Sequence, residues 1–134
     1  MNFLLTIFLG FTLTCFFPET ASDAEVSQTV QTSLRKGNAG QLATQFDKTI
    51  ELVIDTEKVD FSSVDATHAE LILRTFFRRY PPHGFEFVYR GSSNRLRYST
   101  GTYATEGNAF SVYVLMRQNA NRQYVINALH FRKE

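Results

Sequence analysis

The sequence predicts an α+β domain in which three N-terminal helices pack on a curved antiparallel sheet. Up to about residue 80, apolar residues recur mainly at helical spacing, interrupted by one strand-like stretch at 49–55. After Gly84 they alternate to the end of the chain, and the connections between the alternating stretches are short and rich in turn residues. Helix-period segments followed by a run of strand-period segments define this class.

Over residues 25–36, Val26, Val30 and Leu34 recur every four positions and form one narrow helical stripe. Gly37 follows the basic pair Arg35 and Lys36, a combination that suits a helix C-terminus. Asn38 offers a cap to a second, shorter helix carrying Ala39, Leu42, Ala43 and Phe46. Gly40 weakens that helix by up to about 1 kcal/mol relative to Ala. The two helices are expected to form an antiparallel pair.

Residues 49–55 then switch to period two, with Ile50, Leu52 and Ile54 on one face, and read as a strand. The polar stretch 56–64, with isolated Val59 and Phe61, reads as a loop holding at most a short strand. Asp65 supplies a cap to the strongest helix, in which Ala69, Ile72, Leu73, Phe76 and Tyr80 share a face. Pro81, Pro82 and Gly84 end it. Four strands follow at 85–90, 96–104, 109–117 and 123–132, and their short connections make them antiparallel neighbours in a meander.

Composition limits the function classes. The 134 residues hold 14 Lys plus Arg against 13 Asp plus Glu, a balance that argues against a protein built to sheath phosphate backbones. A single Cys excludes a disulfide scaffold and a Cys-rich zinc module. No apolar run reaches the roughly 18–20 residues that a membrane span needs.

Residues 3–17 are uncharged and apolar, the length of a secretory h-region, and Pro18 breaks the run. Ser22 and Ala24 satisfy the small-x-small rule for cleavage after Ala24, so residues 1–24 read as a signal peptide and 25–134 as the mature domain beginning at Glu25. Met1 and Asn2 bring no Lys or Arg to the front of this leader. The alternative is lipoprotein anchoring through Cys15, for which Thr12, Leu13 and Thr14 make a poor recognition sequence. An exported, periplasmic or extracellular protein is expected. Loss of Glu19 and Asp23 with the leader turns the net charge from +1 to +3.

The segment LRKGNAGQLATQF followed by TIELVID resembles the opening of the nuclear transport factor 2-like superfamily. Within that superfamily, AELILRTFFRRYPPHGFEFVYRGSSNRLRYSTGTYAT resembles an exported bacterial family of unknown function. The paired Phe near the helix end, the Arg-Gly-Ser-Ser turn and the Tyr-x-x-Gly-Thr strand carry the match, over roughly residues 26–132. The resemblance implies a cone-shaped, cystatin-like fold and export, and brings no activity.

The resemblance also implies a pocket at the open end of the cone, where some superfamily members are isomerases or dehydratases using a Tyr, an Asp or a His-Asp pair. Residues 25–36 contain no Tyr, and Asp47, Glu51 and Asp55 have no obvious second carboxylic donor. His68 and His130 would be a general acid and base if both faced one cavity. The plainer reading has His68 solvated at a helix start, His130 packed among sheet neighbours and His83 exposed in a turn. His68 to Glu70 begins like a zinc deaminase motif, but no Pro-Cys-x-x-Cys completes it, so no metal and no cofactor is expected.

Four residues, Phe76, Tyr98, Tyr113 and His130, are the expected pocket lining, for a small apolar or anionic ligand. Parity places Tyr98 with Leu96, Thr100 and Thr102, and Tyr103 with Arg97, Ser99 and Gly101. Arg74, Arg78, Arg79, Arg90, Arg95 and Arg97, interleaved with Tyr80, Tyr89 and Tyr98, have the composition of a nucleic-acid surface. Export and the Glu70–Arg74 helix spacing favour an ordinary solvated face instead, so nucleic acid is not an expected partner.

In the last two strands both faces carry apolar residues. Phe110, Val112, Val114 and Met116 lie opposite Ala109, Tyr113 and Leu115, and strict alternation sets Tyr124, Ile126 and Ala128 opposite Val125, Leu129 and Phe131. A sheet covered on one side needs one apolar face, so the surplus predicts a homodimer through the sheet. The sequence therefore reads as a non-catalytic binding or interaction module, with a small acid-base pocket enzyme as the alternative.

Overall fold

The Ser22 hydroxyl accepts from the Glu25 N–H at 3.1 Å, while the Glu25 carboxylate accepts from the Ser22 N–H at 3.0 Å. This reciprocal box starts α1 (Asp23–Lys36), two residues ahead of Glu25. A computed structural model describes residues 22–134; the apolar leader and Cys15 lie outside the described residues. Val26, Val30 and Leu34 are buried as their spacing predicts, and the helix ends at Gly37, whose φ of 66° is left-handed.

The Asn38 side chain accepts from the Gln41 N–H at 2.9 Å and caps α2 (Ala39–Ala43). This helix is shorter than its apolar spacing suggested, because Phe46 opens the first strand and reaches the core from there. In β1 (Phe46–Ile54), Ile50, Leu52 and Ile54 are buried on one face.

A 3₁₀ turn (Asp55–Glu57) leads into β2 (Val59–Asp65), which pairs antiparallel with β1. The stretch expected to be mostly loop is thus a full strand. It had little apolar alternation to offer, since Val64 is its one buried residue.

Asp65 then caps α3 (Ala66–Arg79), accepting from the His68 N–H at 2.8 Å. The chain continues as β3 (Pro82–Ser93), β4 (Leu96–Thr105), β5 (Asn108–Gln118) and β6 (Tyr124–Lys133), the expected meander. The sheet order is β2-β1-β6-β5-β4-β3, and β1 joins the meander by lying parallel to β6.

The helices cover one face of this curved sheet. Phe76 of α3 sits at the centre, its ring 4.7 Å from Phe131, 5.1 Å from Phe110 and 5.8 Å from Tyr103. Phe77 and Tyr80 extend the cluster. The Tyr103 hydroxyl donates to the Tyr80 carbonyl, and Thr105 Oγ1 donates to the Pro81 carbonyl at 2.7 Å, so β4 holds the C-terminal end of α3. Burial pushes the Tyr103 hydroxyl far above the ordinary tyrosine range. Gly101 makes room for Phe85, because a Cβ there would lie 2.5 Å from the Phe85 ring and 2.6 Å from the Glu86 carbonyl oxygen.

Of the register shifts in the sheet, two decide which side chains reach the site. One falls in β3 between Phe87 and Tyr89; the other falls in β6, where Leu115 pairs with Ala128 but Met116 pairs with Ile126. Strict alternation across β6 is therefore corrected. The extra residue Asn127 brings Leu129 and Phe131 onto the same buried face as Tyr124 and Ile126, leaving Val125, Ala128 and His130 on the other.

Candidate functional site: a cleft between α1 and β3–β4

The broad end of the sheet leaves a cleft of about 150 Å³ beside the first turn of α1. Asp23, Ala24 and Ser27 form the helix wall; Arg90, Gly91, Arg97, Tyr98, Ser99 and Met116 form the sheet wall. The sheet pairing explains the assembly. Arg90 and Ser99 are direct cross-strand partners, and Arg97 precedes Ser99 by two positions on the same face with Met116 as its own partner. The bulge at Val88 turns Arg90 toward the helices, since it shifts the parity of the strand after Phe87.

Charge in the cleft is uneven. Asp23 Oδ2 accepts from Arg97 Nε at 2.7 Å, and the same guanidinium donates to the Asn94 and Leu96 carbonyls, each at 2.9 Å. Its cationic carbon stands 5.0 Å from the Tyr124 ring centroid. Arg97 Nε and Nη1 are thus both engaged, and Asp23 balances its charge. Arg90 stacks 4.2 Å above the Phe87 ring and, among the described residues, has no carboxylate partner. Between the two arginines, Ser99 is only 3 % exposed and its hydroxyl makes no hydrogen bond. A buried hydroxyl without a partner is costly, and it is the sort of group a ligand satisfies.

The four residues expected to line one pocket do not converge. Phe76 is buried in the aromatic core, which fills the hollow between helices and sheet. Tyr98, Tyr113 and His130 point to the opposite, helix-free face, since their strand partners alternate with the buried positions. There Tyr113 and His130 are cross-strand neighbours with rings 5.2 Å apart, and His130 Nε2 lies 3.5 Å from Glu51 Oε1. Tyr98 alone also contributes an edge to the cleft.

His68 is exposed at the start of α3 beside the Phe61 ring, in the other layer from His130, so the two histidines share no cavity. The arginine-tyrosine cluster disperses as well: Arg74 pairs with Glu70 and Arg79 with Glu57, on α3, while Arg97 turns to Asp23. Among the described residues no cluster of His, Cys, Asp and Glu could hold a metal ion.

Sequence reasoning placed Ser99 on the face of Tyr103 and Arg97 but did not single it out. A serine on the same parity as Gly101 and Tyr103 was the available signal. Arg90 could not be assigned, because its facing depends on a bulge.

A cone of helices on a six-stranded sheet is the fold of nuclear transport factor 2-like proteins. Solved structures share it: an NTF2-like protein of unknown function from Shewanella baltica matches at a TM-score of 0.61 with 10% identity, over 83% of this chain and 90% of that one. Within the class, this chain belongs to the family described as a domain of unknown function, DUF4783, whose model matches residues 27–132.

Crystal structures of that family are more similar still. One from Bacteroides ovatus has a TM-score of 0.72 and 23% identity, covering 79% of this chain and 93% of that one. One from Bacteroides fragilis has a TM-score of 0.71 and 27% identity, covering 79% and 96%. No curated protein matches the chain.

Proposed function

We propose that this chain is an exported, non-catalytic binding module and that its ligand site is the cleft between α1 and β3–β4. One observation carries the reading: the unpartnered Ser99 hydroxyl, buried in the wall of a cleft whose mouth holds Arg90. The remaining hollow of the cone is packed with Phe and Tyr rings. A larger hollow of about 580 Å³ is lined by Arg95, Gln118, Asn119, Ala120 and Arg122, turn and strand-end residues without a buried polar group among them.

Acid-base catalysis is the weaker reading, because Glu51, His130 and Tyr113 meet on the flat face of the sheet rather than within an enclosure. Export rests on the apolar leader with its small-residue cleavage site. Among the described residues, no helix is long and apolar enough to cross a membrane.

The test is thermal denaturation with a panel of small molecules, since a ligand that binds only the folded form raises Tm as its concentration passes Kd. Stabilisation that disappears in Ser99→Ala supports the cleft; stabilisation unchanged by that substitution places the ligand elsewhere.

A second reading, association of two copies through the helix-free face, is favoured by the half-buried apolar run of Tyr98, Tyr113, Leu115 and Val125 on it. Exposed Ser111, Arg117 and Arg132 border that run, as polar residues border an interface core. Light scattering on residues 22–134 tests it, and a monomer at high micromolar concentration removes it.

A further inference from the structure

We infer that the cleft takes a small monocarboxylate, with its carboxyl group between Arg90 and Ser99 and its apolar body against Met116 and Ala24. This rests on the cleft being a ligand site and specifies the chemistry it selects.

Three features of the walls decide the class. The first is donor geometry. Arg90 and Ser99 face each other across adjacent strands, which sets their Cβ atoms about 5 Å apart. A guanidinium fork satisfies a carboxylate with parallel N–H bonds, and the Ser99 hydroxyl is left to donate to the same group. The hydroxyl has no competing partner, and the Phe87 ring beneath Arg90 holds the guanidinium at the mouth.

The second feature is net charge. Asp23 neutralises Arg97 at 2.7 Å, so the lining presents one uncompensated positive charge, that of Arg90. A monoanion balances it. A dianion such as sulfate would bring its second charge toward the Asp23 carboxylate on the facing wall, at a Coulomb cost that low-dielectric surroundings enlarge.

The third feature is size and polarity. About 150 Å³ is the scale of an engineered cavity that accepts benzene, so the body is a short aliphatic chain or a single ring. Met116, 3 % exposed, and Ala24 on the facing helix wall offer it apolar contact.

The experiment uses residues 22–134, which contain the described core and the three helix caps Ser22, Asn38 and Asp65. Thermal shift and calorimetric titration are run at fixed ionic strength with butyrate and benzoate, their neutral counterparts 1-butanol and benzyl alcohol, and sulfate. Carboxylates are expected to raise Tm in a saturable way where the alcohols do not. Arg90→Gln and Ser99→Ala are each expected to weaken the carboxylates about tenfold, the loss of one charge-assisted bond. Arg90 is exposed, so its substitution leaves the fold intact, which the unliganded Tm verifies.

Alcohols binding as well as carboxylates, or sulfate binding better, overturns the carboxylate assignment while the cleft remains a site. Failure of every probe to move the wild-type Tm, or full binding by both variants, removes the assignment and the cleft together.

Discussion

Asp23 and Arg97, 74 positions apart in the chain, meet at 2.7 Å and tie the first turn of α1 to β4. The Arg97 side chain is 29% exposed and keeps two backbone carbonyls and the Tyr124 face whatever happens to Asp23. Asp23, at 41% exposed, is screened by solvent. Asp23→Asn is therefore expected to cost only about 0.5–1 kcal/mol in urea denaturation, and the difference from wild type should shrink as NaCl is added.

Shortening the chain at its start should matter for a related reason. Cleavage after Ala24 would remove both Ser22, the cap of α1, and Asp23. A polypeptide starting at Glu25 is expected to be less stable than one starting at Ser22 by about 1–2 kcal/mol, the sum of a lost cap and a lost ion pair. Urea denaturation of the two polypeptides gives the difference.

Phe76 touches five other aromatic rings, and no side chain nearby is placed to take over its volume. Phe76→Ala is expected to cost about 3–5 kcal/mol and to open an apolar cavity in the middle of the cone. Denaturant midpoints give the loss, and xenon or benzene binding to the variant would report the cavity.

At Gly101 a methyl group would strike both a buried ring and a backbone carbonyl. Neither can swing aside, as Phe85 is 1 % exposed. Gly101→Ala should therefore destabilise by about 1–3 kcal/mol, and the double variant Gly101→Ala with Phe85→Leu should recover part of that loss.

Alkaline pH should single out Tyr103. In the unfolded chain it ionises near 10.0, whereas in the folded protein burial holds it neutral well beyond that. The folded state then keeps a proton that the unfolded state has released, so stability contributed by Tyr103 is complete below pH 10 and falls as pH rises above it. Tyr103→Phe is expected to be about 1 kcal/mol less stable at pH 7, having lost the bond to the Tyr80 carbonyl, and to show a shallower decline from pH 10 to 11.

Local chemistry made much of this architecture readable in advance. Asn38 and Asp65 cap the helices they precede, Gly37 ends α1, and the parity of β4 sorts Tyr98 from Tyr103 as period-two geometry requires. What stayed hidden depends on pairing between distant segments. Val59–Asp65 becomes a strand because β1 offers it hydrogen bonds, not because its own residues alternate. The parallel docking of β1 on β6 leaves no mark in either stretch.

The bulges had the largest consequence for the site. One extra residue in β6 inverts the facing of everything after it, and one in β3 decides that Arg90 meets the cleft. Of the expected lining only Tyr113 and His130 became neighbours, and they did so on the outer surface.

The break at Val88 has one more effect. β3 is twelve residues long and terminates the sheet, so a regular strand there would present a row of free amides and carbonyls on which another molecule's backbone could grow. The irregularity interrupts that row near its middle and leaves Val88 72% exposed, so an incoming strand finds no continuous register to extend. The kink that aims an arginine inward thereby also guards the domain against fibrous growth.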